Sequence, residues 1–483
     1  MIDLRPVFFI LGFILLILAL AMGMTAAVDA AMDDVDWPVF LAAGLITGFF
    51  SLSMVLSMRP SGRISLSPKQ AFLITTFAWV GASSVGALPF MFSTLHLSFT
   101  DSFFETMSGL STTGATIIVG IDEIGAGLKL WRGILHWLGG IGIIVMAVAI
   151  LPILRIGGMQ LFRMESSDKM ETAMPRITEL ATGILSVYTL FTVIGSVLLH
   201  FAGMDWLEAV VHTMASLGTG GFSTSDDSIA HFQSPLIEWI IIMLMIIGGM
   251  TFVLFVAAWK KGAAPLLRDS QTGWYFACMV FFALLIGAWQ YSVNNMGWHD
   301  AYRHALFTVV SIVTTTGFAS ADWNLWGNFP LAACFILTFV GGCTGSTAGG
   351  IKIFRFQVLF AMARIHVKRL IYPRGVFTID FNRQSISDSV VRSVLGFIVL
   401  YIFSFAAIGI TLSLLGLDFV TSFSGAAATL GNVGPGLGEI IGPLGSYRPL
   451  SDAAKWVLSF AMLLGRLELM AVLVLLMPSF WRK

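Results

Sequence analysis

The chain has 483 residues, 57% of them hydrophobic and 11% charged, with a mean hydropathy of +0.87 and a formal net charge of zero. A soluble domain of this size does not combine such values, so a soluble enzyme and a nucleic-acid-binding protein are both excluded. Apolar runs long enough to cross a bilayer as helix recur from end to end and leave no stretch for a separate catalytic domain.

Taken in chain order, these runs place helices at about 7–27, 38–58, 70–92, 129–154, 180–202, 235–259, 273–292, 328–371, 390–416 and 451–478, ten spans in all. The first resembles a secretory leader but is long, has just Arg5 before it, and is followed by an acidic loop and a second span, so it is read as retained. With the amino terminus inside, one face collects Arg5, then Arg59, Arg63 and Lys69, then Arg155, Arg163, Lys169 and Arg176, then Lys260, Lys261 and Arg268. It also collects the basic run from Lys352 to Arg392, and Arg482 and Lys483. That excess puts both termini in the cytoplasm. The opposite face carries Asp29, Asp33, Asp34, Asp36, Asp226 and Asp227, carboxylates that would concentrate cations at a mouth. Cys278, Cys334 and Cys343 lie in apolar or Gly-rich segments without metal-ligand spacing, so no disulfide framework is expected.

From the third span onward, each outward-going helix is followed by a segment too apolar for a loop and too short for a span. Four times it begins at a capping residue and ends in a Thr/Gly cluster: Ser98 to Gly114, Asp205 to Gly221, Asp300 to Gly317 and Asp418 to Gly434, spacings of 16, 16, 17 and 16 residues. This reads as one unit used four times: a short capped helix that dips into the membrane and ends at a glycine-bearing extended strand. Irregular backbone at that depth must line water or be buried in protein. Four helix C-termini aimed at one axis favour a desolvated cation, and glycine lets successive carbonyls replace a hydration shell. A second register follows, with small-residue pairs at Gly139-Gly140, Gly248-Gly249, Gly341-Gly342 and Gly465-Arg466, lying 25, 27, 24 and 31 residues past the strand glycines. The repeat boundaries are set at 70–179, 180–272, 273–389 and 390–483, after a two-helix segment 1–69.

Two features break the symmetry. The third inner span is interrupted by Gly341, Gly342, Cys343, Thr344, Gly345, Ser346, Thr347, Ala348, Gly349 and Gly350, too rich in Gly, Ser and Thr to hold a helix. It is expected to be a movable constriction, with Lys352 and Arg355 marking the cytoplasmic exit beyond it. It is not a phosphate-binding loop, because Ile351 separates the last glycine from Lys352. In the fourth repeat Arg466 replaces the second glycine, and is expected to project below the strands as an electrostatic barrier or as a latch on the 341–350 loop. Glu468, two residues on, points elsewhere on the helix. A membrane enzyme built on His136, His200, His212 and Glu105 is the first competing reading, weakened by the lack of ligand spacing. An ion-coupled carrier is the second, weakened because only one inner span is clearly interrupted and the repeat is fourfold.

These motifs together, including Leu464-Gly-Arg-Leu-Glu468, resemble the superfamily of K⁺ transporters that includes the Trk, Ktr and plant HKT proteins, and are most similar to its bacterial TrkH branch. The resemblance spans the whole chain. It implies an all-α polytopic fold of four helix, pore-helix, helix repeats around one central pore, preceded by two extra helices. It also implies a bacterial inner-membrane homodimer among lipids, served by a cytosolic TrkA-like regulatory subunit with RCK domains. That subunit, and not this chain, is expected to hold a nucleotide (NAD or ATP/ADP). Carried over by position, the K⁺ filter is Thr112, Thr113 and Gly114; Thr219, Gly220 and Gly221; Thr315, Thr316 and Gly317; and Asn432, Val433 and Gly434. Plant relatives with serine at the first filter glycine prefer Na⁺; glycine at all four positions here favours K⁺.

Overall fold

The computed structural model describes residues 3–60, 66–149, 173–382 and 384–482. Arg63, Arg155, Arg163, Lys169, Lys483 and the last residues of the 129–154 span lie outside them. Among the described residues the regular structure is helical, apart from one antiparallel pair of two-residue strands, Asp380–Phe381 with Gln384–Ser385, and an isolated bridge between Val340 and Ile351. Two N-terminal helices, Arg5–Ala31 and Trp37–Ser57, pack closely as a pair, with Gly44 against the Ala19 carbonyl. Small residues permit that approach where no hydrophobic effect drives helices together.

Four units follow, each an outer helix, a short pore helix and an inner helix. The outer helices are Pro68–Gly86, Ala173–Phe201, Ser270–Ser292 and Asp388–Leu414. The pore helices are Phe99–Leu110, Trp206–Gly218, Trp298–Val313 and Phe419–Leu430, too short to cross a bilayer. Ser98 Oγ accepts from Asp101 N–H at 3.1 Å and Asp418 Oδ2 from Thr421 N–H at 3.0 Å, so both cap as the sequence suggests. At Asp205 the capping box closes through its own N–H, which donates to Glu208 Oε2 at 3.2 Å. The third unit differs from expectation: its cap is Gly297, and Asp300 sits in the first turn, where it pairs with Arg303. A carboxylate there still complements the helix dipole, which is why it imitates a cap in sequence.

The inner helices depart further. The first, Ala126–Ala149, is continuous to the limit of the described residues. The second breaks at Met250-Thr251 with a 95° bend between Pro235–Gly249 and Phe252–Lys261. The fourth breaks at Leu467 to Leu469 with a 119° bend between Asp452–Arg466 and Met470–Leu476. The third is Asn328–Leu337, the 341–350 loop, and Ile353–Ile371. Three inner helices are therefore interrupted rather than one. The described residues contain seven helices long and apolar enough to span a membrane, and nine if each bent pair counts as one. The chain is thus a multi-pass membrane protein. Gln70 Nε2 donates to the Asp3 carbonyl and Lys69 Nζ to the Arg482 carbonyl, so both ends of the chain lie on one face.

Candidate functional site: the ring of Thr/Gly strands and the loop beneath it

Each pore helix ends in the same way. Thr113, Gly220, Thr316 and Val433 each donate a backbone N–H to the carbonyl five residues back, all at 2.8 Å. The residue before each, Thr112, Thr219, Thr315 and Asn432, takes a left-handed conformation with φ between +51° and +57°. This is the helix-terminating motif usually completed by glycine. Here three of the four are β-branched threonines, for which that region is a genuine outlier, and such strain concentrates at functional sites. Two residues on, Gly114, Gly221, Gly317 and Gly434 also have positive φ, from +77° to +96°.

The glycines close a ring. A Cβ placed on Gly114 would stand 2.0 Å from the Gly220 carbonyl oxygen, on Gly221 1.9 Å from that of Thr316, on Gly317 2.1 Å from that of Val433, and on Gly434 2.5 Å from that of Thr113. Each strand thus abuts a carbonyl of the next, in chain order, and the fourth returns to the first. Only hydrogen fits at these positions. Above the ring lies a cavity lined by all four glycines and by Thr116, Arg132 and Asp226. Arg132 is buried there and neutralised: its Nε donates to Glu105 Oε1 at 3.0 Å and its Nη1 to the Ser223 carbonyl at 2.6 Å. At the exposed start of the fourth pore helix, hydrogen bonds from Thr421 hold the Asp418 carboxyl below its usual range.

The fourth strand's departure from the Thr-rich pattern has a structural role. Asn432 Nδ2 donates to Thr113 Oγ1 at 3.0 Å and to the Met462 carbonyl at 2.9 Å, tying strand four to strand one where the ring closes.

The small-residue pairs lie directly below. Cβ atoms at Gly139 and Gly465 would stand 2.1 and 2.0 Å from the carbonyls that end their own pore helices, Leu110 and Leu430, and one at Gly248 would stand 2.9 Å from that of Leu217. The second glycine of two pairs faces a tyrosine of the following outer helix, Gly140 against Tyr188 and Gly249 against Tyr275. In the third pair Gly342 faces the Gly249 carbonyl and Ala348 instead, and Tyr401 of the fourth outer helix packs edge-on to Phe339 just before that pair. Sequence reading missed this register, although a fully buried tyrosine in mid-span is a signal in itself.

The 341–350 loop sits under the ring, is bonded to repeats two, three and four, and is linked to repeat one through Arg466. Gly349 N–H donates to Thr315 Oγ1 at 2.6 Å, Cys343 N–H to the Gly249 carbonyl at 2.9 Å, and Thr347 Oγ1 to the Leu217 and Gly248 carbonyls at 2.8 and 2.9 Å. The break in the second inner helix frees donors for it: Thr251 Oγ1 reaches the Thr344 carbonyl at 2.8 Å, and Phe252 N–H that of Gly345 at 3.1 Å. Arg466 Nη1 donates to the Thr347 carbonyl at 2.6 Å and Nη2 to that of Gly139 at 3.3 Å, so this guanidinium joins the loop to repeats four and one. Glu468 pairs with Arg355, which also lies 3.6 Å from the centre of the Phe397 ring, and Lys352 Nζ donates to the Ala348 carbonyl. A small cavity between these groups is lined by Gly349, Lys352, Arg466 and Glu468.

Of the residues of the enzyme reading, Glu105, His136 and His212 gather around Arg132 and the Phe222-Ser223 segment as packing and hydrogen-bond partners, while His200 lies apart from them. His136 stacks on Phe222, His200 on Trp206, and His212 bonds Ser223, while Glu105 serves Arg132. Among the described residues no His, Cys, Asp and Glu cluster has metal-binding geometry.

Residues 38–483 match the family model described as a cation transport protein, TrkH. The chain is 44% identical over 480 residues to the Trk system potassium uptake protein TrkI of Halomonas elongata, covering 99% of this chain and 97% of that protein. It is 39% identical over 426 residues to the Trk system potassium uptake protein TrkH of Escherichia coli K12, 86% of this chain and 87% of that one. The crystal structure of the potassium transporter TrkH from Vibrio parahaemolyticus superposes over the full length of both chains with a TM-score of 0.92 at 34% identity. The likeness extends over the whole ring, the broken inner helices and the N-terminal pair, and the chain belongs to the TrkH family of cation transport proteins.

Proposed function

We propose that this chain takes up K⁺ through one gated, channel-like pore. Its filter is the four strands 112–114, 219–221, 315–317 and 432–434, and its gate is the 341–350 loop latched by Arg466. The observation that carries this reading is the closed ring in which each glycine abuts the carbonyl of the next strand. Carbonyls brought together at the negative ends of four helices are suited to a dehydrated cation and to no reaction chemistry. The choice of K⁺ rests on the potassium uptake proteins to which the chain is similar.

The proposal extends to the assembly: repeat boundaries at 70, 180, 273 and 390, a homodimer with one pore per subunit, and a bacterial inner-membrane location with both termini cytoplasmic. A TrkA-like RCK subunit binds the basic face and carries the nucleotide, while Lys352 and Arg355 line the exit. The interrupted inner helices do not favour an alternating-access carrier, since their breaks converge on one loop instead of pairing across two related halves.

Proteoliposomes containing the full chain and its regulatory subunit, assayed for K⁺ and Na⁺ flux in parallel, test this reading. Electrically driven K⁺ flux is expected, with Gly114→Ser reducing it or shifting it toward Na⁺, because the side chain would meet the Gly220 carbonyl and strain a φ of +81°. Identical flux and selectivity in wild type and Gly114→Ser, with folding intact, would defeat the filter assignment.

A further inference from the structure

On the basic face, a cavity opens between the start of the third outer helix and the helix Ile353–Ile371. It is lined by Ser270, Trp274, Gln357, Phe360, Arg364 and Lys368. Three features combine in it. Arg364 and Lys368 stand one turn apart on one helix face, both exposed, and present cations to its mouth. Trp274 and Phe360, 43% and 62% exposed, form an apolar flank at the helix end where aromatic residues meet the bilayer interface. In the inner wall, Ser270 Oγ and Gln357 Oε1 are buried and have no hydrogen-bond partner among the described residues. The Gln357 side chain is otherwise held by its Nε2, which donates to the Ser270 carbonyl at 3.0 Å.

Buried polar atoms without partners cost free energy, and a native site that keeps two of them side by side is a site for something that bonds them. Two cations at the entrance specify an anion, and the aromatic flank specifies one with acyl chains. The hydroxyl and amide oxygens in the wall specify a headgroup bearing hydroxyls of its own. Asp380 on the rim, whose Oδ1 accepts from Thr378 Oγ1 at 3.4 Å, is the one carboxylate in the lining, and it leaves the mouth cationic. We propose that this cavity binds the headgroup of an anionic, hydroxyl-bearing glycerophospholipid of the phosphatidylglycerol class. The phosphate sits between Arg364 and Lys368, the headgroup hydroxyls reach Ser270 and Gln357, and the chains lie along Trp274 and Phe360.

This occupant would brace the third inner helix beyond the 341–350 loop. It is independent of which ion the pore passes. The test uses the full chain reconstituted with equal parts of phosphatidylglycerol and phosphatidylcholine, released gently into detergent and examined by native mass spectrometry. Wild type is expected to retain phosphatidylglycerol selectively, and Arg364→Gln/Lys368→Gln to retain about thirtyfold less, at roughly 1 kcal/mol for each of the two basic residues near an anionic surface. In a second mixture, with phosphatidic acid in place of phosphatidylcholine, wild type is expected to prefer phosphatidylglycerol and Ser270→Ala/Gln357→Leu, which keeps both cations, to lose that preference; a wild type that holds the two anionic lipids equally would overturn the hydroxyl-bearing headgroup. Equal retention of the two bulk lipids, or undiminished phosphatidylglycerol in the double charge variant, would overturn the site. Displacement of the lipid by an equal concentration of inorganic phosphate would assign it to a soluble phosphate instead, and so overturn the lipid. Ion flux plays no part in these readouts, so failure here leaves the pore assignment standing, and the reverse.

Discussion

Thr347 shows how much one side chain in the loop has to do. Its hydroxyl lies between the Leu217 and Gly248 carbonyls, and its own carbonyl receives Arg466. Valine has nearly the same shape, so Thr347→Val removes the hydroxyl bond and leaves the packing in place. A buried hydrogen bond with an acceptor left orphaned is worth about 1–2 kcal/mol, which moves a closed-to-open ratio roughly 5- to 30-fold. If the loop is the gate, K⁺ flux through Thr347→Val rises by a factor in that range. Flux at or below the wild-type value, in a variant with an unchanged thermal midpoint, would show that the loop is a fixed floor. Arg466→Ala tests the latch from the other side, and higher flux is again the expected result. The site residues differ in how visible they are in sequence. The four glycines are legible because a ring with no room for a Cβ forces the same residue at the same spacing. The left-handed threonines are not, since nothing in their chemistry announces a conformation imposed by the helix end and the neighbouring strand.

At the scale of elements, the breaks in the inner helices were only partly legible. The third is written in ten residues of Gly, Ser, Thr, Cys and Ala, whereas the fourth runs through Leu467, Glu468 and Leu469, which local propensity would keep helical. There Glu468 and Leu469 take φ of +62° and +46°, held by the Arg355–Glu468 pair and by full burial of Leu467 and Leu469. Tertiary contacts decide that break, so no reading of the segment alone would find it. The pair joins the helix beyond the loop to the hinge of the fourth repeat, with side-chain exposures of 4% and 15%. Breaking a buried pair from one side leaves an uncompensated charge and costs about 3 kcal/mol, whereas replacing both partners by apolar groups is often neutral. Glu468→Gln is therefore expected to lower the thermal midpoint, and Arg355→Met/Glu468→Leu to recover most of the loss. Additive effects of the two positions in a double-mutant cycle would mean that they do not act together.

For the whole molecule, the fourfold arrangement was the most legible feature, because it is repeated, and the orientation in the bilayer was legible only through charge. The helices fix which loops share a face: Asp3, Lys69 and Arg482 meet at one end, and Gly120 N–H donates to Asp226 Oδ2 at the other. The proposal that the first of these faces the cytoplasm rests on its Lys and Arg excess, a bias that acts during insertion and leaves no mark on the packing. The acidic end is also the one onto which the cavity above the glycine ring opens, so the orientation decides whether carboxylates gather cations from outside or from the cytosol. Asp33 lies on the acidic face and Arg374 on the basic one, and both are exposed. In a Cys278→Ser background, where the remaining cysteines are buried, Asp33→Cys is expected to react with a membrane-impermeant maleimide in intact cells. Arg374→Cys should react only after the cells are opened. The reverse pattern would turn the protein over, and with it the assignment of the basic face to a cytosolic regulatory subunit, since a partner that binds there must share its compartment.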